Sequence, residues 1–301
     1  MKPFITVFTP TYNRAYTIYK LYESLKKQQL KDFEWIIYDD GSTDNTEDVV
    51  NEFINEQKII IKYFKVKNSG KHVAINNGTD LAEGELFFIV DSDDYLTEDS
   101  LITIKQAWDS IDVSERNNFA GVSGKRKLIN KKNSIFNFNN EYYDADAIKF
   151  NLIDNNVQDK AEVYVTNVLK KYKFPKYDGE NFMTEAVIWY KIAQDGYLIR
   201  WFNKDIYVCE YLEDGLTANF YERRINSILG TCYSYNKLSS YNLPLKYKIR
   251  YKSNYFRYGL NEWSFRQLFN NLEDSKFKYI SSIIGYLMYI IDRNKLNRAR
   301  V

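Results

Sequence analysis

The amino-acid sequence predicts an α/β fold: a mostly parallel sheet flanked by helices, followed by a helical C-terminal extension. Three observations predict it. Through the first 110 residues, short apolar runs alternate with segments of helical periodicity, the pattern of parallel βαβ units. Each of the first four apolar runs is followed at once by a cluster of polar residues. Near residue 222 the charge balance changes, and the chain becomes aromatic and helical in pattern.

The first elements are predicted in alternating order. The strands are short apolar runs at residues 4–8, 34–38, 59–64 and 86–90. The helices follow them at residues 16–29, from a cap at Ser42 or Thr43 to about Glu56, at residues 72–82, and from a cap at Thr97 to about Ile111.

Beyond Phe119 the alternation weakens. Strands are predicted at residues 121–128, 198–202 and 206–211, a helix at 184–194, and an Asn/Lys-rich loop at 129–140. From about Tyr221 the pattern is helical, with an interruption near Pro244. We therefore predict a first domain at residues 1–221 and a basic, aromatic, mainly helical extension at residues 222–301.

Composition limits the class of protein. Hydrophobic residues make up 45% of the chain and charged residues 27%, which suits a folded domain with a sizeable core. The two cysteines, Cys209 and Cys232, cannot form a disulfide framework. The first residues lack the apolar run and cleavage site of a signal peptide, and no run of about 18 apolar residues occurs. We expect a cytoplasmic protein without a membrane-spanning helix.

The net charge of +2 hides an asymmetry. From Glu222 to the end there are 15 Lys and Arg against 5 Asp and Glu, which leaves 27 basic and 35 acidic residues before that point. A basic segment of this kind suits an anionic partner, such as a phospholipid surface or a polyanionic acceptor. An ordinary solvated helical appendage is the alternative.

The segment from Ser275 to Lys295 adds a second feature to this extension. Its apolar residues span about a dozen positions, too few to cross a bilayer. Such a helix could lie in a membrane interface with its basic flanks on the headgroups, or it could pack onto the first domain. The apolar residues are Ile280, Ile283, Ile284, Leu287, Met288, Ile290 and Ile291, and the flanking basic residues are Lys276, Lys278, Arg293 and Lys295.

The polar clusters that follow the first four strands are TPTYNR, DDGSTDNT, NSGKH and DSDD. Carboxyl ends of parallel strands meet at one edge of a sheet, so these clusters should line a single cleft. Asp91, Asp93 and Asp94 would repel one another unless a cation lay among them, and oxygen ligands suit Mg²⁺ or Mn²⁺. The alternative is an acidic loop that caps the next helix, which stays open above all for Asp94.

The other polar clusters offer contacts for a nucleotide. Asp40 could accept a hydrogen bond from a pyrimidine N–H, although Asp39 and Asp40 could instead form an Asx-turn. Tyr12 could lie against the base or be a core aromatic. Lys71 and His72 could approach the base or the diphosphate, although a polar residue at a helix start is the simpler interpretation of His72.

Taken jointly, TPTYNR, YDDGSTDNT, NSGKHVAINNG and VDSDD resemble family 2 of the glycosyltransferases in order and spacing, strongly over residues 4–110 and loosely to about 215. The resemblance implies the A-type glycosyltransferase fold, with a nucleotide-sugar-binding catalytic domain in residues 1–221. It also implies a UDP-sugar donor, Mn²⁺ or Mg²⁺, and an acceptor hydroxyl on a glycan or lipid-linked intermediate of surface polysaccharide assembly.

The same resemblance implies roles for particular residues. Asp40 would contact the uracil, with Lys71 nearby. Asp91 would face the ribose or a metal-bound water, and Asp93 would ligate the metal that bridges the diphosphate. The positions implied to bind the nucleotide are Pro10, Thr11, Tyr12, Asp40, Lys71 and Asp91, and those implied at the metal are Asp93 and Asp91.

The catalytic base of the family usually lies in an acidic pair at a helix start. Here the second position of that pair is Ala186, so Glu185 is the candidate base, with Asp178 and Glu180 in reserve. An acid favoured by the helix dipole is the structural alternative for Glu185. Ala186 also leaves open a catalytically inactive nucleotide-sugar-binding module. The absence of GxGxxG and of a GKS/T loop argues against a dinucleotide-binding oxidoreductase and a P-loop enzyme, and no nucleic-acid-binding signature is present.

Overall fold

The computed structural model describes residues 2–129, 136–156, 158–209 and 220–299. The chain divides into two compact units, Met1–Phe174 with Asp195–Gly215, and Pro175–Gln194 with Leu216–Val301. The segment that carries Glu185 is therefore grouped with the C-terminal part of the chain. The functional division at residue 222, into a catalytic domain and an extension, stays a prediction.

A nine-stranded sheet forms the first unit. Its order is β3-β2-β1-β4-β8-β6-β9-β5, with β7 also paired to β9. The strands are β1 Ile5–Thr11, β2 Phe33–Asp39, β3 Ile61–Lys65, β4 Leu86–Ile89, β5 Tyr95–Leu96, β6 Phe119–Leu128, β7 Tyr142–Ala145, β8 Lys160–Val165 and β9 Leu198–Cys209. Strands β3, β2, β1 and β4 are mutually parallel, and β8 joins β4 in the antiparallel sense. The predicted α/β class is confirmed.

The first unit also contains five described α-helices, and the first three of them connect its parallel strands. They are α1 Ile18–Lys26, α2 Thr46–Glu56, α3 Lys71–Leu81, α4 Ser100–Asp109 and α5 Thr166–Leu169, with a 3₁₀ turn at Arg116–Asn118 and a π turn at Lys149–Ile153. Helix α1 forms because its apolar residues recur at helical spacing: Ile18, Leu21, Tyr22 and Leu25 all face the core.

Two predicted helix caps are wrong. Helix α2 begins at Thr46 after Asn45, and α4 begins at Ser100 after Asp99. Ser42 and Thr43 instead belong to the loop after β2, where the Ser42 hydroxyl accepts a hydrogen bond from the Asn13 backbone N–H. The Thr97 hydroxyl donates to Asp99 at 3.0 Å. The Thr97 hydroxyl also donates to the Asp205 carbonyl oxygen at 3.3 Å, so Ser42 and Thr97 both form tertiary hydrogen bonds in place of the predicted caps.

Strand predictions in the second half of the sheet were incomplete. The runs predicted at 198–202 and 206–211 form one strand, β9, as far as Cys209, and residues 210–211 lie outside the described residues. Residues 130–135 of the predicted loop also lie outside them. Strands β7 and β8 were not predicted, although β8 lies between β4 and β6 in the sheet.

The second unit is helical in its described residues. Its helices are α6 Ala186–Gln194, α7 Phe220–Asn226, α8 Ile228–Ser240, α9 Leu245–Gly259, α10 Phe265–Asn271 and α11 Lys278–Ala299. Pro244 directly precedes α9, as the predicted interruption requires. Tyr235, Phe256 and Leu268 belong to the core of this unit. Among the described residues, no helix combines the length and apolar character needed to cross a membrane.

Candidate functional site

The loops that follow β1 and β2 are held together by Asn13. Its backbone is in the left-handed region, with φ of 52°, which asparagine tolerates better than most residues. Its side-chain oxygen accepts hydrogen bonds from the backbone N–H groups of Thr43 at 2.8 Å and Asp44 at 3.3 Å. TPTYNR and DDGSTDNT therefore form one structure at the carboxyl edge of the sheet.

Three predicted nucleotide contacts lie at the end of β1. The Tyr12 side chain is 47% exposed, so the alternative that it is a core aromatic is wrong. Pro10 is half-buried. Thr11 is buried, and its hydroxyl has no hydrogen-bond partner among the described residues. An accessible aromatic ring at this edge can stack on a planar ligand.

Asp39 and Asp40 do different work at the end of β2. Asp39 accepts hydrogen bonds from the Ser42 backbone N–H at 2.7 Å and the Tyr63 hydroxyl at 2.6 Å, so it closes the turn as the structural alternative predicted. The two carboxylate oxygens of Asp40 accept from the backbone N–H groups of Ser69 and Gly70, both at 2.7 Å. Asp40 thus positions the loop that leads to Lys71. Its contact with uracil stays a prediction.

Burial sets the ionisation of Asp40. The side chain is 6% exposed, and its pKa is raised, first by burial and also by the charge of Asp39, against the hydrogen bonds from Ser69 and Gly70. A buried carboxylate with both oxygens on backbone amides is fixed in position. The loop it holds is therefore firmly placed at the start of α3.

Lys71 and Asp91 form a close ion pair at the same edge. Lys71 is the first residue of α3, and its ammonium nitrogen lies 2.6 Å from a carboxylate oxygen of Asp91, just after β4. The Arg126 guanidinium from β6 lies 3.9 Å from the other oxygen. Burial raises the pKa of Asp91, but Lys71 and Arg126 outweigh that effect, and the pKa falls below its usual value.

His72, the next residue, is oriented differently. Its side chain is 2% exposed and meets the Phe174 ring edge-on, and Nδ1 has no hydrogen-bond partner among the described residues. Burial lowers the pKa of His72 to about 4. This histidine is a buried packing residue, and its lowered pKa keeps the ring neutral at pH 7.

Asp93 and Asp94 complete the acidic cluster after β4. Burial and the charge of Asp91 raise the pKa of Asp93, with Arg14 at 3.9 Å as a distant counter-charge. Burial, followed by the charges of Asp91 and Asp93, raises the pKa of Asp94 to about 7. The alternative that Asp94 caps the next helix is wrong, because Asp99 occupies that position in α4.

The donor set can be tested against a divalent cation. In the described ranges, no group of three or more His, Cys, Asp or Glu side chains is arranged to hold a metal. Mg²⁺, however, commonly takes one or two carboxylates and completes its shell with substrate phosphates and water. Asp93 fits this requirement best, because burial and then the negative charge of Asp91 raise its pKa, and a bound cation would relieve both effects. Asp91 fits less fully, since Lys71 already pairs with it.

The structure adds three residues that the motifs did not single out. Tyr207 of β9 accepts a hydrogen bond from the Asp91 backbone N–H at 2.9 Å, and Arg126 stacks over the Tyr207 ring at 4.2 Å. Arg14 approaches Asp93. Arg14 stands inside the TPTYNR motif, so a signal existed for it. Arg126 lies in a Lys-Arg-Lys run near the end of β6, a weaker signal that becomes visible only once β6 is placed in the sheet.

Glu185 lies directly before α6 in the second unit. Its carbonyl oxygen accepts from the backbone N–H groups of Ile188 at 3.0 Å and Trp189 at 3.2 Å. The side chain is half-buried, and Ala186 is the first helical residue. This geometry suits both a base and a helix-start acid, so the catalytic role of Glu185 stays a prediction.

Glu180, named as a reserve, has a structural role. One carboxylate oxygen accepts from the Leu229 backbone N–H at 2.7 Å and the other from that of Gly230 at 2.8 Å. Both donors belong to the first turn of α8, whose N-terminus favours a negative charge. Glu180 therefore fixes the start of α8.

Comparisons with known proteins bear on the family and the fold of this chain. The family described as "Glycosyl transferase family 2" matches residues 6–164, more than half of the chain. A Campylobacter jejuni protein, GalNAc(5)-diNAcBac-PP-undecaprenol beta-1,3-glucosyltransferase, is 38% identical over 106 residues, or 35% of this chain and 34% of the relative. The chain thus spans about a third of that curated relative.

Two solved structures share the fold. S. aureus TarS 1–349 in complex with UDP-GlcNAc superimposes with a TM-score of 0.66 at 18% identity, over 97% of this chain and 92% of the other. The mannosyltransferase PcManGT from Pyrobaculum calidifontis, solved with GDP-Man and Mn²⁺, gives 0.55 at 16% identity, over 99% and 88%. At such identities these structures establish the fold.

Proposed function

This chain belongs to glycosyl transferase family 2, and we propose that it transfers a sugar from a UDP-linked donor to a hydroxyl group, with inversion at the anomeric carbon. The observation that carries the proposal is the acidic edge of the sheet, which we define as Asp91, Asp93 and Asp94 with Lys71 and Arg126. These side chains come from three separate strand ends and meet at the place where α/β sheets bind ligands.

The nucleotide would lie along the loops after β1 and β2. Tyr12 offers an exposed ring for the base, and Pro10, Thr11 and Asp40 complete the wall around it. Uridine is the proposed nucleoside because TarS, which has the same fold, has been solved with UDP-GlcNAc and with UDP. Lys71 would approach the diphosphate from the start of α3.

Asp93, assisted by Asp91, would hold Mn²⁺ or Mg²⁺ against the donor phosphates. Bound there, a divalent cation would neutralise charge that develops on the departing diphosphate. Lys71 and Arg126 keep Asp91 ionised, because they hold its pKa below the usual value. The protein thus supplies fixed charges of both signs at the leaving group.

Glu185 is the proposed general base. A carboxylate can take the proton from the acceptor hydroxyl as it attacks the anomeric carbon, an effect commonly worth about 10²–10⁴-fold in rate. A single displacement of this kind inverts the configuration. Ala186, in place of the second acid of the usual pair, is the reason to keep a catalytically inactive nucleotide-sugar-binding module as the alternative.

The proposed acceptor is a glycan or a lipid-linked intermediate in surface polysaccharide assembly. Two relatives support this class: the C. jejuni protein is named for a pyrophosphate-linked undecaprenol glycan, and S. aureus TarS for poly(ribitol-phosphate). Both acceptors are anionic, and residues 222–301 of this chain are strongly basic. An acceptor of this class would place the enzyme in the cytoplasm, peripheral to the inner face of the membrane.

A thermal-shift panel tests donor binding. We expect UDP-sugars with Mn²⁺ to raise the melting temperature, because a ligand that binds only the folded state at 100 times its Kd adds about 2.7 kcal/mol. Adenosine nucleotides are the matched control and should have little effect. If no UDP-sugar stabilises the protein with or without metal, the proposal fails.

A second measurement separates the enzyme from the inactive module. Release of UDP from the best-stabilising donor, with Mn²⁺ and without acceptor, reports slow hydrolysis by a working active site. UDP release above that of a heat-inactivated sample is expected. Binding without any release, even when glycan acceptors are added, would favour the inactive module.

A further inference from the structure

The last helix of the second unit presents its large apolar side chains to solvent. We propose that this surface, the outer face of α11, docks the protein on an anionic phospholipid bilayer with the helix axis parallel to the membrane plane. The outer face consists of Ile280, Ile283, Ile284, Leu287, Ile290 and Ile291, each between 37% and 60% exposed. The spacing of three, four and seven residues places them on one side of the helix.

The opposite side of α11 fixes this orientation. Ser281, Ser282 and Gly285 are buried there. A Cβ atom at Gly285 would overlap the Ser253 carbonyl oxygen of α9, so the two helices meet at backbone contact. Small residues on one side and large apolar residues on the other mean that α11 cannot roll to hide its outer face. The exposure is therefore built into the packing.

An ion pair reinforces the same orientation. The Arg257 guanidinium of α9 donates two hydrogen bonds to the Asp292 carboxylate of α11, at 2.5 and 2.9 Å. This paired geometry has a preferred direction and holds Asp292 toward α9. Asp292 is the sole acidic residue in the α11 sequence, and it is buried. The outer face therefore carries no carboxylate of its own.

The charge around the outer face favours anionic lipid as the occupant. Lys278 is half-buried at the start of α11, and Arg293 and Lys295 are exposed near its other end. Glu273 and Asp274, before α11, are already paired with Lys237 and Lys252 at 2.8 Å. A second copy of the protein would bring one basic segment against another, which is unfavourable, whereas anionic headgroups attract both.

The dimensions favour a helix that lies in the interface. From Ile280 to Ile291 the outer face is about 18 Å long at 1.5 Å per residue, well short of a hydrocarbon core of about 30 Å. Aromatic side chains that suit the headgroup region flank it: Phe277, Tyr279 and Tyr286 are all exposed. Docking of this kind goes beyond sugar transfer and can be tested without donor or acceptor.

Vesicle sedimentation with the full chain tests the proposal. Phosphatidylcholine vesicles with and without phosphatidylglycerol are mixed with wild type and with the double variant Ile283→Ser, Leu287→Ser. We expect wild type to bind the anionic vesicles, and the double variant to bind them about tenfold or more weakly, because two half-exposed side chains lose their lipid contact. Arg293→Gln with Lys295→Gln should weaken the same binding about tenfold and leave less salt dependence.

The matched control replaces apolar residues that are equally exposed in the first unit. Ile60→Ser with Val113→Ser removes side chains that are 64% and 75% exposed, and vesicle binding should not change. An equal loss of vesicle binding in this control would overturn the proposal. A wild type that does not bind anionic vesicles would also overturn it. Sedimentation velocity without lipid completes the test. If the wild type is a dimer that does not bind vesicles, and the double variant Ile283→Ser, Leu287→Ser is a monomer, the outer face of α11 binds a second copy of the chain and not a membrane.

Discussion

The acidic edge of the sheet and the outer face of α11 are opposite exceptions to the usual rule that apolar side chains are buried and charged ones exposed. At the acidic edge, three carboxylates are largely withdrawn from water, and Lys71 and Arg126 pair with only one of them, Asp91. On α11, isoleucine and leucine side chains stay in water although they would gain by burial. The first exception depends on residues far apart in the sequence, whereas the second is encoded within one helix. Each is the kind of exception that a binding surface requires.

The variant Glu185→Gln tests whether the second unit contributes to catalysis or serves only in membrane docking. Glu185→Gln keeps the size of the side chain and removes its basicity. If Glu185 is the base, transfer should fall about 10²–10⁴-fold while the thermal shift from UDP-sugar is retained. The measurement is the initial rate of UDP release with acceptor present.

Glu180→Gln is the matched control for this variant, since it changes the same residue type five positions earlier. Glu180 holds the start of α8 through two backbone N–H groups, so we expect a loss of about 1 kcal/mol in unfolding free energy and nearly normal turnover. If Glu185→Gln kept wild-type turnover, Glu185 would have no catalytic role, and membrane docking would be the one proposed role of the second unit.

The variant Asp93→Asn tests the acidic edge of the sheet. Asp93→Asn should lower transfer by about 10²–10³-fold, because one charged contact at the departing diphosphate is lost. It should also remove the part of the UDP thermal shift that depends on Mn²⁺. Vesicle binding should remain unchanged, because the acidic edge and the outer face of α11 are separate surfaces in separate units.

Asp109→Asn is the control for Asp93→Asn. Asp109 is a surface residue of α4 in an ion pair with Lys105, and such pairs contribute little, so rate and thermal shift should stay normal. A metal-dependent thermal shift that survives in Asp93→Asn would remove Asp93 from the metal.

Much of the first unit could be predicted from the sequence. The four parallel strands were located within a few residues, because each is a short apolar run ended by polar residues. The polar strand ends then placed Asp91 and Lys71 at one edge, and the structure brings them to 2.6 Å. This prediction succeeded because topology alone determines which strand ends meet.

The remainder depended on tertiary contacts. Tyr207 and Arg126 reach Asp91 from β9 and β6, more than 30 residues away in the sequence, and no local pattern signals such a contact. Strand β8, with the sequence KAEVYV, is too short and mixed to stand out from its surroundings. For α11 the sequence showed an apolar helix but left two interpretations open. Backbone contact at Gly285 decides which side faces outward.

His72 is a buried polar group with no charged partner among the described residues, and its burial makes the stability of the protein depend on pH. Its folded pKa is about 4, below the ordinary value of 6.5, so only the unfolded chain binds a proton as pH falls between these values. Stability is full above pH 6.5 and declines through this window. At pH 5 the loss from this residue should be about 2 kcal/mol.

Urea unfolding at pH 7 and pH 5 measures this loss, with His72→Leu as the comparison. The variant lacks the titrating ring, so its stability should fall by about 2 kcal/mol less than that of wild type between the two pH values. Parallel loss in both proteins would mean that other groups account for the acid sensitivity. The buried environment of His72 would then be wrong.

Gly285→Ala should change the free energy of unfolding least, and it tests whether the close contact of α11 with α9 keeps the outer face of α11 exposed. Alanine is the better helix former by about 1 kcal/mol, so helix propensity alone predicts a more stable protein. The added Cβ, however, would overlap the Ser253 carbonyl oxygen and the Phe256 Cβ, and neither can move without displacing α9. Overpacking of this kind costs about 1–3 kcal/mol, so we expect a net loss of about 1 kcal/mol in urea unfolding. Ile284→Ala, one residue away on the outer face, should cost less, and a Gly285→Ala variant more stable than wild type would mean that α11 is free to roll its apolar side inward.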